Sequence, residues 1–107
     1  ALEIVPDDAQ ANNLIGLYWL NLNDAAKAKA QFELSIKKEA SNPAAWYYLG
    51  LLARSQGDDQ TALSNLMKAI QISPNFKPAY ELSAQIYEAL GDGANAQRFR
   101  QAIGQIK

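Results

Sequence analysis

"AWYYLGLLARSQGDD", residues 45–59, sets a Trp, a Leu-Gly pair and a Gly-Asp-Asp turn in a fixed order, and none of them is an obvious catalyst. Its meaning depends on whether it returns along the chain. An offset of 34 lays Gly16 on Gly50, Leu17 on Leu51, Asp24 on Asp58, Ala28 on Ala62 and Ile36 on Ile70. The same offset lays Trp46 on Tyr80, Gly57 on Gly91, Asp58 on Asp92 and Ala62 on Ala96. Three units share this register, 9–42, 43–76 and 77–107, the last cut short. A fixed period of this length marks a repeat architecture, in which a unit buries its apolar face only by stacking on its neighbours.

Composition agrees with one folded domain and narrows its chemistry. The chain of 107 residues is 49% hydrophobic and 20% charged with four prolines, which argues against disorder. There is no cysteine, hence no disulfide and no thiolate metal site, and no histidine, the commonest general base and metal ligand. A formal charge of −1 gives no electrostatic case for nucleic acid or an anionic membrane surface. The longest apolar run, "AAWYYLGLLA" at 44–53, is far short of the roughly 20 residues that span a bilayer. The lack of cysteine suits a bacterial cytoplasm or periplasm equally.

Within each unit the apolar spacing is helical. Trp46, Leu49, Gly50 and Ala53 recur on one face, Gly57-Asp58 interrupts, and Ala62, Leu66, Ala69 and Ile70 resume the period. Glycine at 57 and 91 suits a helix C-terminus that needs a left-handed backbone, and the following Asp can cap the next helix; Asn23-Asp24 plays both parts in the first unit. Asn42-Pro43 and Ser73-Pro74 separate one helix pair from the next. The pattern predicts helices at about 9–22, 25–39, 43–56, 59–72, 77–90 and 93–106.

These residues resemble the tetratricopeptide repeat, whose 34-residue unit carries Trp-x-x-Leu-Gly-x-x-Tyr in its first helix and Ala, Phe, Ala and Pro in its second. The middle unit has Trp46, Leu49, Gly50, Ala62, Ala69 and Pro74, with Ala53 in the Tyr place and Leu66 in the Phe place. The first keeps Gly16, Ala28 and Phe32, with Trp19 in the Tyr place and Ser35 for an Ala; the third has Tyr80, Ala84, Tyr87 and Ala96, with Arg100 and Ile103 as departures. The resemblance covers the whole chain and implies an all-α solenoid of antiparallel helix pairs, about three units in a right-handed superhelix. Residues 1–8, "ALEIVPDD", read as the close of an earlier unit's second helix and a turn, because Pro6 lies two periods before Pro74. With Ala1 in place of Met, the expectation is an excerpt of a longer protein. At the other end Gln97, Arg100 and Gly104 make the last helix more polar, as in a terminal repeat.

The resemblance also implies a concave groove, lined by the first helices, that holds an extended or helical peptide. By register its residues are Gln10, Asn13, Leu14, Leu17, Leu20 and Asn21 in the first unit and Ala44, Tyr47, Tyr48, Leu51, Arg54 and Ser55 in the second. The third contributes Pro78, Glu81, Leu82, Gln85, Glu88 and Ala89. Tyr47, Tyr48, Leu51, Leu17 and Leu20 stand out as apolar residues outside the packing motif, which mark a contact surface if exposed. Tyr48 and Leu14 have a second reading, packed between adjacent helices. Arg54 and Glu88 read either as a solvated ion pair or as charges that fix a peptide's direction. A subclass of the family holds acidic carboxyl termini of chaperones with a basic clamp. Its places fall here on Asn13, Leu17, Tyr48, Pro78 and Leu82, none of them cationic, so a mixed aromatic and aliphatic ligand is expected instead.

Other chemistries find little support. Glu81 and Glu88 share a helix face, but paired acid and base carboxylates need an enclosed site. Asp58-Asp59 is a turn and cap rather than a cation site. "GDGANA" at 91–96 lacks the lysine and strand of a phosphate loop, and Arg98, Arg100 and Lys107 lack the interleaved aromatics of a nucleic-acid site. The expectation is a noncatalytic protein-interaction scaffold with no cofactor and no metal, monomeric or weakly stacked end to end, with a protein or peptide partner. Two other readings are a spacer within a longer array and a substrate-recruiting arm of an enzyme whose catalytic region lies outside this chain.

Overall fold

The computed structural model describes residues 9–106, which form six helices: α1 (Ala9–Asn21), α2 (Ala25–Lys38), α3 (Pro43–Ser55), α4 (Asp59–Ile72), α5 (Lys77–Ala89) and α6 (Gly93–Gln105). The earlier-unit ending assigned to residues 1–8 lies outside the described residues, as does Lys107. Each predicted helix is present, its ends within a residue of those read from the pattern.

The turns explain this agreement. Asn23, Gly57 and Gly91 all take a left-handed backbone, with φ of 62°, 81° and 80°. In each turn the amide of the next Asp then donates to a carbonyl five residues back, as from Asp58 to Ala53 at 2.9 Å. The side chains of Asp24, Asp58 and Asp92 in turn accept from the amides of Lys27, Thr61 and Asn95 and cap α2, α4 and α6. Between pairs, the Asn42 side chain accepts from the Ala44 amide and caps α3, whereas α5 starts after Phe76 with no side-chain cap.

Small residues set the packing inside each pair. A Cβ on Gly50 would sit 3.0 Å from the Leu66 side chain, and one on Gly16 would run into the ring of Phe32. Ala28, Ala62, Phe32, Leu66 and Ala69 are fully buried, and Ala96 and Ala84 nearly so. Between pairs, Leu66 and Ala69 of α4 meet Ala79, Leu82 and Ile86 of α5, while Ala28 and Phe32 of α2 meet Leu49 and Leu52 of α3. The core therefore runs on from pair to pair, as a stacked helical-repeat solenoid requires. Trp19, Trp46, Tyr80 and Tyr87 are half-buried beside these contacts, and Pro74 is exposed, its carbonyl accepting the Tyr80 hydroxyl at 2.8 Å.

The stack is elongated, 48 × 29 × 21 Å, and unequal on its two sides. Among the described residues the first helices lie backbone to backbone against one another, α1 with α3 and α3 with α5, whereas the backbones of α2 and α4, and of α4 and α6, stay further apart. Among the described residues the row therefore bends toward the α1, α3, α5 side.

Candidate functional site

The inner side of this bend is the face to examine, and α3 is its centre. Tyr47 and Leu51 lie half-buried against the cluster of Leu66, Leu82 and Ile86, and Tyr48 against that of Phe32 and Leu49. Four rings form a continuous row: Phe32 stacks on Tyr48 at 5.4 Å, Tyr48 meets Tyr47 at 5.5 Å, and Tyr47 meets Phe76 edge-on at 5.7 Å. The sequence reading did not include Phe76 in the site. It precedes α5 in a connection, where helical spacing gives no signal.

The polar groups form a rim. Arg54 donates to the Gln85 side chain at 3.0 Å and so ties α3 to α5. Glu81 is exposed and near Tyr47; burial, first, and then the neighbouring Tyr48 and Glu81 push the Tyr47 phenol above its ordinary value. On α1, Asn21 is exposed and Leu17 and Leu20 are half-buried against the Phe32 cluster.

Two expected groove residues need correction, and two alternative readings close. Arg54 and Glu88 do not pair: Gln85 lies nearer to Arg54, and Glu88, near the end of α5, binds Arg100 of its hairpin partner α6. Asn13 is 4% exposed, so it is not displayed in a groove, and its amide oxygen has no partner. Leu82 is likewise buried, because α4 covers that face of α5. Leu14 is not packed between helices but 63% exposed. The five apolar groove residues are also less free than their absence from the packing motif implied, since each rests on a core cluster with one side only.

The remaining candidates are dispersed. Arg98 lines a depression of about 410 Å³ with Met67, Tyr80, Tyr87 and Phe99, while Arg100 lines others with Glu88 and Gln101 or with Glu81 and Ile103. Glu88 is held below its ordinary carboxylate value by the Arg100 hydrogen bond, and Asp58 by its bonds from Thr61. Among the described residues no three His, Cys, Asp or Glu side chains come together as a metal site, and no helix is long and apolar enough to cross a membrane.

Comparison with known proteins agrees with this fold. A family model described as tetratricopeptide repeat matches residues 43–76, the α3–α4 pair. The chain is 30% identical over 81 residues to a probable biofilm formation methyltransferase, WspC, of Pseudomonas putida, covering 76% of this chain but 19% of that protein. The crystal structure of MamA superposes with a TM-score of 0.83 at 24% identity, over 92% of this chain and 58% of that one. The second TPR domain of Spaghetti (RPAP3), bound to the HSP90 peptide SRMEEVD, superposes with a TM-score of 0.83 at 12% identity, over 95% and 94% of the two chains. This chain thus spans about a fifth of the curated relative. The family match thus places a tetratricopeptide repeat on the middle helix pair, and the likeness to these structures extends the same fold over nearly the whole chain.

Proposed function

We propose that this chain is a noncatalytic protein-interaction scaffold that seats a partner peptide or helix on the inner face of α1, α3 and α5. The observation that carries the reading is the half-buried row of Tyr47, Tyr48 and Leu51 on α3, bordered by Arg54, Gln85 and Glu81. Such a surface offers large apolar area at modest entropic cost, with polar atoms at its edge to orient a backbone. The similarly folded Spaghetti domain holds a peptide, which supports the reading for the fold but not for the same ligand. A chaperone-type acidic carboxyl terminus would find no cation at Asn13, Leu17, Tyr48, Pro78 or Leu82, and Glu81 would repel it. The ligand that fits is a segment with aromatic and aliphatic side chains and no terminal run of acids.

The test is selection from a random peptide library on the chain and on a Tyr47→Ala, Leu51→Ala variant. Enriched aromatic and aliphatic peptides that the variant loses by tenfold or more, while SRMEEVD shows no binding to either, agree with the proposal. Peptides kept equally by a folded variant, or enrichment of acidic carboxyl termini, contradict it. An empty selection favours a spacer. A second reading rests on the likeness to the methyltransferase-named protein: the repeats serve as a recruiting arm for a catalytic region of a longer polypeptide. A partner that is modified only when joined to that region would distinguish it.

A further inference from the structure

Around the inner face most charged groups already have partners. Arg54 donates to Gln85, and Glu88 binds Arg100. Glu81 is different: it is exposed on α5 and makes no hydrogen bond or ion pair among the described residues. Lys77, one turn ahead on the same helix, does not reach it, and Arg100, which shares a depression with it, is held by Glu88. Glu81 and Tyr47 are 34 residues apart, the same place in successive units, and Glu81 lies close enough to raise the Tyr47 phenol.

Tyr47 also has a ring face to offer. Tyr48 has Phe32 stacked on it, their planes 27° apart. Tyr47 meets Tyr48 at 57° and Phe76 at 72°, so no parallel ring among the described residues covers it, and it is only half-buried. Other rings carry cations of the chain itself: Lys27 lies over Trp19 at 4.3 Å and Lys68 over Trp46 at 5.8 Å. Over Tyr47 there is none. An aromatic face beside an unpaired carboxylate attracts a cation through the ring quadrupole and the full charge together. A guanidinium suits the pair better than an ammonium, because its plane stacks on the ring while its edge donates to the carboxylate.

We infer that Tyr47 and Glu81 form a subsite for an arginine side chain of the bound segment, the guanidinium lying on the Tyr47 ring and donating to the Glu81 carboxylate. This rests on the inner-face reading proposed above and adds a basic residue to the aromatic and aliphatic ones of the ligand.

The test is a two-by-two binding comparison made with the peptide most enriched from a random library. Enriched peptides are expected to share an arginine at one fixed position. Its replacement by glutamine should weaken binding to the parent chain about tenfold, and its replacement by lysine about threefold. Glu81→Gln should cost the arginine peptide about tenfold and the glutamine peptide less than about twofold, so that the two changes are not additive. Glu81 is exposed, and the melting temperature of this variant is expected within about 2 °C of the parent. Tyr47→Leu, which keeps an apolar side chain but removes the ring, should narrow the difference between arginine and lysine. Repeating the selection on Glu81→Arg should turn the preference at that position to Asp or Glu. Peptides that depend on Tyr47 and Leu51 but share no arginine overturn this inference and leave the inner-face reading standing. So does an arginine whose loss costs the same with Glu81 present or replaced. Peptides kept by the Tyr47→Ala, Leu51→Ala variant, or an empty selection, overturn both.

Discussion

A methyl group on Gly16 has nowhere to go, because the Phe32 ring it would meet is itself fully buried. Gly16→Ala is therefore expected to cost about 1–3 kcal/mol in urea unfolding, overpacking outweighing the better helix propensity of alanine. Gly50→Ala should cost less, since its Cβ would lie 3.0 Å from the Leu66 side chain and 3.3 Å from the Ala62 carbonyl oxygen, a milder overlap than that with the Phe32 ring. The reverse order would contradict this account of the helix crossings. At Gly91 the cost has another origin: nothing lies within 4 Å, but φ is 80°, and Gly91→Ala should lose about 1 kcal/mol through backbone conformation alone. Glycines 16, 50, 57 and 91 are legible in the sequence because the same backbone demand recurs at a fixed offset. Asn13 is not legible, because its burial depends on neighbours brought close by folding rather than on its own residue type.

Helix ends repeat the lesson on a larger scale. The Asp caps and left-handed turns act over a few residues, so helix bounds follow from the chain locally. Pairings between helices depend on their tilt and rotation, which no local pattern encodes, and Arg54 accordingly meets Gln85 while Glu88 meets Arg100. The second pair has a pH signature. Hydrogen bonding from Arg100 lowers the folded-state affinity of Glu88 for a proton, so the unfolded chain binds that proton first as pH falls. The stabilisation is complete above the ordinary carboxylate value, about pH 4.3, and is lost as pH drops through the lower folded value. Melting temperatures followed from pH 7 down to 3 should fall less steeply for Glu88→Gln than for the parent, with Asp58 supplying part of the remaining acid dependence. Parallel curves would show that the exposed pair contributes nothing measurable.

For the whole molecule, the offset of 34 was enough to give a stacked helical solenoid, since any chain that repeats an amphipathic helix pair must cover each pair with the next. The contents of the inner face were harder to read. Register names which residues stand on it, but only packing shows that Tyr47, Tyr48 and Leu51 are half-sunk into the core and joined to Phe76, leaving a shallow surface with a firm base. The central claim is that this surface, and not the outer side, receives the ligand. The outer side has its own depression, about 440 Å³ between α2 and α4 with Ile36, Trp46 and Asn65 in its wall. The deciding measurement is an NMR titration of the chain with a peptide selected from the library. The account predicts shift changes concentrated at Tyr47, Leu51, Arg54 and Gln85; changes concentrated instead at Ile36, Trp46 and Asn65 would contradict it.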